Sequence, residues 1–178
     1  MQLPVCGMEQ EIVEAVHNND VIILCGETGS GKSTQVPQFL YEAGYSKHGL
    51  IGITQPRRVA ATSTAARVSF EMNQSSLPER DRLIGYHVRY DRSTVSPNCK
   101  ILFATDGILL REITSDLLLR QYSVIILDEA HERNLNTDIL IGLLSRSILL
   151  RKQASLEQDA DSDDNSKEIS GSAEEQTG

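Results

Sequence analysis

Apolar residues Met8, Ile12, Val13 and Val16 recur at helical spacing and predict a helix over 8–18, ended by Asn18, Asn19 and Asp20. Val21 to Cys25 is a short continuous apolar run, the pattern of a strand buried on both faces. A glycine-rich stretch, Gly26 to Gly31, follows it. Helical spacing of Val36, Phe39 and Leu40 predicts a helix over 32–43, with Pro37 inside it as a local kink and Gly44 as its stop. Leu50 to Thr54 reads as a strand and 57–72 as a helix. Tyr86, Val88 and Tyr90 alternate with polar residues and predict a half-buried strand. Lys100 to Ala104 and Ser123 to Leu127 read as strands, Asp106 to Ser115 and Thr137 to Lys152 as helices.

Strands alternating with helices predict an α/β fold, a mostly parallel sheet with helices on both faces. Right-handed crossovers then gather the strand-to-helix loops at one sheet edge, where open α/β sheets carry their ligands. The apolar pattern stops at Lys152. Residues 153–178 are rich in Ser, Asp, Glu and Gln, cannot offset their ordering entropy by burial, and are expected to form an acidic disordered tail after a domain over 1–152.

Charge divides at the same place. The chain of 178 residues has a net charge of −8, which by itself argues against a polyanionic partner. The tail, however, holds eight acidic residues against Lys167 alone, so the body carries 16 basic and 17 acidic residues and stays open to nucleic acid. Cys6, Cys25 and Cys99 have no metal-ligand or disulfide-framework spacing and are expected to be reduced thiols, with Cys25 buried in its strand. With no apolar run of membrane-spanning length, the expected setting is a reducing compartment, cytosol or nucleus, without a membrane partner.

Gly26-Glu27-Thr28-Gly29-Ser30-Gly31-Lys32-Ser33 matches the phosphate-loop pattern G-x-x-x-x-G-K-[ST] in full. The chemistry requires these residues. Glycine permits backbone amides to turn inward on phosphate oxygens, and the following helix offers its positive end to the anion. Lys32 supplies a point charge and Ser33 a hydroxyl for Mg²⁺. A chance glycine turn would lack the apolar run before the loop and the helix after it.

Asp128-Glu129-Ala130-His131 lies at the tip of the last strand. A carboxylate there can sit in a Mg²⁺ shell, and its neighbour can orient an attacking water. Alone, such a pair is as often a solvated loop charge; beside a phosphate loop on the same sheet it gains meaning. His131 has no second ligand at metal spacing and reads as a hydrogen-bonding relay or a structural histidine.

Gly26 to Thr34, Thr54 to Ala61, Thr105 to Glu112 and Asp128 to Arg133 (GETGSGKST, TQPRRVAA, TDGILLRE, DEAHER) together resemble, in order and spacing, the first RecA-like domain of DEAH-box RNA helicases, over about Leu3 to Lys152. Flanking stretches Phe39 to Tyr45 and Thr137 to Arg146 look most like the nucleolar members that assemble the small ribosomal subunit. The resemblance implies a RecA-like P-loop NTPase that takes ATP or another NTP with Mg²⁺. Gly26, Thr28, Gly29, Ser30, Gly31, Lys32, Ser33 and Thr34 would hold the nucleotide, with Arg67 stacked on its base. Ser33, Asp128 and Glu129 would serve the metal site, Glu129 would position the hydrolytic water, and His131 would couple to a second RecA-like domain. Arg57, Arg58, Thr105 and Arg89 would contact the RNA backbone. The residues themselves offer one argument for Arg57 and Arg58: two cations at a helix N-terminus oppose its dipole unless an anion is near.

The chain departs from that family after Lys152, where the second RecA-like domain is missing. No Ser-Ala-Thr strand follows Lys152, and the resemblance places that strand between the phosphate-loop strand and the Asp128 strand. The expectation is therefore a sheet with a gap and a fragment that hydrolyses ATP poorly, awaiting a second domain and an activator protein. Two other readings stand beside it. A non-catalytic module that binds RNA or a partner protein would be indifferent to loss of Glu129. A small-molecule kinase would have no use for the segments Thr54 to Ala61 and Thr105 to Glu112.

Overall fold

The computed structural model describes the backbone of residues 3–171 and the side chains of residues 3–157. A 3-10 turn, Pro4–Met8, leads into α1 (Glu9–Asn18). The elements that follow are α2 (Lys32–Glu42), β1 (Leu50–Gln55), α3 (Arg58–Glu71), β2 (Ile84–His87), β3 (Ile101–Thr105), α4 (Asp106–Ser115), β4 (Tyr122–Leu127) and α5 (Leu135–Gly171). The four strands pair in the order β2-β3-β1-β4, every pair parallel.

The period-2 pleat sorts the strand residues onto two cores. Ile51, Ile53, Ile101, Phe103 and Ile84 face α1, α2 and α3, with Val124 and Ile126 completing that side. Leu102 and Tyr122 face α4 and α5 through Leu109, Ile113 and Leu140, joined by Ile125 and Leu127. Helices therefore cover both faces, as the alternating pattern predicts. Gly52 lies on the second face for a steric reason: a Cβ there would stand 2.6 Å from Cε1 of the buried Tyr122 ring.

Four expectations change. Val21 to Cys25 is not a strand: it stands outside the sheet, with Val21 and Ile23 65% and 88% exposed. A strand needs a partner backbone about 4.8 Å away. Among the described residues this run has none, while β4 pairs on one side only. Only Leu24 reaches the core. For the same reason Cys25 is exposed rather than buried, and the buried thiol is Cys99, pushed up to about 11 by burial.

The alternating stretch 86–90 is strand only to His87. Val88 and Asp91 then exchange two backbone hydrogen bonds of 2.9 Å, closing a tight turn that puts Tyr90 at φ 68° and 88% exposed. Finally, α5 continues through Gly171, so residues 153–171 are helical where irregular chain was expected. Helix propagation adds one local hydrogen bond per residue and asks for no apolar face once the packed segment up to Lys152 has nucleated it. Residues 172–178 of the expected tail lie outside the described residues. No described helix is long and apolar enough to cross a membrane.

Candidate nucleotide and RNA site

The loop before α2 has the backbone a phosphate cradle requires. Gly29 and Gly31 take φ of 81° and 96°, values that disfavour any side chain. A Cβ on Gly31 would also stand 2.8 Å from Leu3 Cδ1. The amides of Gly31, Lys32 and Ser33 find no acceptor among the described residues, because the first turn of a helix has none to offer. Lys32 folds back over the loop. Its ammonium donates to the carbonyls of Gly26 at 2.6 Å and Glu27 at 2.8 Å, and to Ser30 Oγ at 3.2 Å. Thr34 Oγ1 donates to the Gly31 carbonyl at 3.3 Å, while Thr28 stands exposed. Free amides at a helix N-terminus, with a lysine ammonium on the same loop, are groups that suit an anion. These residues fit a nucleotide's phosphates, with Ser33 at the first helical turn for a metal.

A second cluster forms where β1, β3 and β4 end at one edge. The register sets Thr54 opposite Leu127 and Gln55 opposite Thr105. Gln55, 3% exposed, donates its amide to Asp128 Oδ2 at 2.5 Å. Asp128 Oδ1 accepts the Glu129 amide at 2.9 Å, and the Asp128 amide donates to the Thr54 carbonyl at 3.2 Å. Both carboxylate oxygens are thus oriented. Glu129 occupies the left-handed region at φ 53°, and its carboxylate lies 3.4 Å from His131 Nε2. His131 is otherwise exposed, which suits a relay better than a core histidine.

The loop is closed from behind. Arg133, at φ 51°, donates twice to Asp138 at 2.8 and 3.0 Å. Hydrogen bonds from Arg133 hold the Asp138 carboxyl below its usual range. Asn134 caps α5 by accepting the Thr137 amide at 2.9 Å. Asn134 and Thr137 also donate to Asp106 Oδ2 at 3.0 and 2.7 Å, so the buried Asp106 ties the start of α4 to the start of α5.

The cations expected to contact RNA follow the same strand ends. Arg57 precedes α3 and Arg58 begins it. Arg57 pairs with Glu132 at 3.2 Å, so the anion that its helix terminus calls for is supplied within the chain, by the Asp128 loop. Arg58 lines a shallow cleft with Val59, Thr62, Val88 and Asp91. Arg89 lies over the Tyr90 ring, 4.9 Å from its centroid, and Thr105 precedes α4. Among the described residues no hydrogen bond or ion pair joins the Lys32 cluster to the Asp128 cluster. They share a framework instead: α2 packs on β1, and β1 pairs with β4.

Gln55, Asp106 and Asn134 went unassigned in the sequence. Gln55 had a signal, an amide as the last residue of an apolar strand, whereas Asp106 and Asn134 meet across 28 residues. Arg67 also has a partner the sequence reading missed, Glu71, four residues on at 2.6 Å.

Comparison with known proteins matches residues 8–148 to the family described as DEAD/DEAH box helicase. The chain is 57% identical over 157 residues to the probable ATP-dependent RNA helicase DHR1 of Saccharomyces cerevisiae, covering 85% of this chain and 12% of that protein. It is 57% identical over 162 residues to ATP-dependent RNA helicase DEAH13 of Arabidopsis thaliana, covering 88% and 13%. Against the probable ATP-dependent RNA helicase DHX37 of Homo sapiens it is 53% identical over 157 residues, covering 88% and 13%. The chain therefore spans 12–13% of the length of these relatives.

Proposed function

The chain belongs to the DEAD/DEAH box helicases, and from that premise we propose that it is the NTP- and RNA-binding module of an ATP-dependent RNA helicase of ribosome biogenesis, working in the nucleus and nucleolus. The observation that carries the nucleotide reading is the set of amides at Gly31, Lys32 and Ser33 without an acceptor among the described residues, on the same loop whose carbonyls hold the Lys32 ammonium. The ribosomal and nucleolar reading rests on the flanking stretches Phe39 to Tyr45 and Thr137 to Arg146.

In this reading Gly26 to Thr34 wrap the phosphates, and Lys32 moves from loop carbonyls to phosphate oxygens. Ser33, Asp128 and Glu129 would serve the Mg²⁺ site. When bound, the metal neutralises charge on the β and γ phosphates. Gln55 orients Asp128, and Glu129, next to it, would orient the attacking water. His131 passes the state of Glu129 to a second RecA-like domain. Arg67 stacks on the base. Arg57, Arg58, Arg89 and Thr105 hold the RNA backbone, which gives affinity without sequence choice. RNA that recruits Arg57 would release Glu132, a direct link from RNA to the Asp128 loop.

On its own the chain binds nucleotide but turns it over slowly. The domain over 1–152 needs a strand beside β4, a second domain and an activator protein for full activity. The free edge of β4, which pairs on one side only among the described residues, favours this over a self-sufficient NTPase. Fluorescent ATP analogue binding with Mg²⁺ tests the core claim: Lys32→Ala should weaken it by roughly tenfold or more, since a charged hydrogen-bonded contact is worth about 1.5–3 kcal/mol. Equal binding by wild type and variant would refute it. Should the chain instead be a purely non-catalytic module, it would show no turnover to lose, and Glu129→Gln would leave its RNA binding unchanged.

A further inference from the structure

Arg67 is held in place before any ligand arrives. It and Glu71 lie one turn apart on α3, and Arg67 Nε donates to Glu71 Oε1 at 2.6 Å. The other oxygen, Oε2, accepts Gln35 Nε2 at 2.7 Å and Gln38 Nε2 at 2.9 Å. Both glutamines belong to α2, the helix that begins at Lys32. The Glu71 side chain is 19% exposed and the Arg67 side chain 63%. An ordinary surface pair at this spacing orders little. Here two amides anchor the carboxylate from its buried side, and one edge of the guanidinium is spent on it. Among the described residues its terminal N–H groups have no partner, and the side chain is otherwise exposed. Burial opposes ionisation of Glu71, but the hydrogen bonds from Arg67, Gln38 and Gln35 outweigh it and hold the carboxyl below its usual range.

We propose that Glu71 is a positioning residue of a nucleobase site. Through Gln35 and Gln38 it ties Arg67 to the phosphate-loop helix, so the guanidinium face stands at a set place relative to phosphates on Gly26 to Ser33. The ligand class is a nucleoside triphosphate, and stacking on a guanidinium takes any base with a π face. This rests on the nucleotide reading above. The physical gain is preorganisation: a free arginine would have to surrender its rotamer freedom on binding, and a pinned one already has. Immobilising one such side chain corresponds to roughly a three- to tenfold change in affinity.

Calorimetry of the full chain with Mg²⁺ and, in turn, ATP, GTP and tripolyphosphate tests this. Glu71→Gln should weaken ATP and GTP roughly three- to tenfold, leave tripolyphosphate unchanged, and add nothing in an Arg67→Ala background. A merely structural Glu71 would weaken tripolyphosphate equally; that result, or unchanged nucleotide affinity, overturns the proposal. If Glu71→Gln does not fold, the Gln35→Ala/Gln38→Ala chain should show the same base-dependent loss, and its absence overturns the proposal as well. Failure of the underlying nucleotide reading looks different: wild type would bind neither ATP nor tripolyphosphate more tightly than Lys32→Ala, and the positioning role would fall with it.

Discussion

Gly52→Ala is expected to be among the most damaging single-methyl changes in this sheet. Gly52 is the middle of β1, between β3 and β4, and its missing side chain is the space that Tyr122 fills. A Cβ would stand 2.6 Å from Cε1 and 2.8 Å from Cδ1 of that ring, closer than carbon atoms approach. The ring cannot swing aside freely. It is 2% exposed, and its hydroxyl donates to Glu112 Oε2 at 2.6 Å. Either β1 moves from β4, or the ring moves and weakens its bond to a carboxylate. Overpacking costs about 1–3 kcal/mol, and a hydrogen bond to a charged group is worth about 1.5–3 kcal/mol. Relaxation shares the two, so a loss of about 2–4 kcal/mol is expected, a large part of a domain's stability. Urea unfolding followed by circular dichroism measures it. Tyr122→Leu supplies the control: it destabilises alone but makes room, so Gly52→Ala should cost far less in that background. A Gly52→Ala chain with the wild-type midpoint, or full additivity with Tyr122→Leu, would refute the steric account.

Gln55→Ala should cost about 1.5–3 kcal/mol of stability, the worth of a hydrogen bond to a carboxylate, and should weaken Mg²⁺-dependent, but not Mg²⁺-independent, nucleotide binding, since Asp128 loses the donor that orients it; titrations of the folded variant with and without Mg²⁺ distinguish the two. His87 predicts a pH effect. Burial lowers its pKa from the usual 6.5 and outweighs the nearby Glu112, so the unfolded chain binds the proton more readily and stability falls as pH drops below about 6.5. His87→Gln should flatten that slope in urea midpoints measured between pH 7.5 and 5.5, and an unchanged slope would count against it. Cutting the chain after Glu157 should lower helical ellipticity yet leave the thermal midpoint in place, because residues 158–171 carry Ile169 as their one large apolar residue; a clear drop in the midpoint would show that this part of α5 is packed.

The periodicities of the chain were enough to place α2, α3, α4 and three of the four strands to within a residue or two, because each depends on a repeat that local burial enforces. The left-handed turns of the Gly26 to Gly31 loop were legible for a similar reason: Gly29 and Gly31 meet a backbone requirement that no other residue meets as readily. What local pattern could not supply was partnership. Val21 to Cys25 has the composition of a buried strand and lies exposed, since a strand exists only beside another backbone. Tyr90 keeps the alternation of a strand and turns outward, because Val88 and Asp91 close on each other first. The catalytic candidates divide along the same line. Asp128 and Glu129 could be named from their place after an apolar run. Only the parallel register of β1 and β4 decided that Gln55 would hold Asp128 and that Glu132 would meet Arg57, contacts made across 73 and 75 residues of chain. Sequence determines which groups are available and how each segment prefers to bend. Tertiary structure decides which of those groups meet, because the pairing free energy exists only once distant strands share an edge.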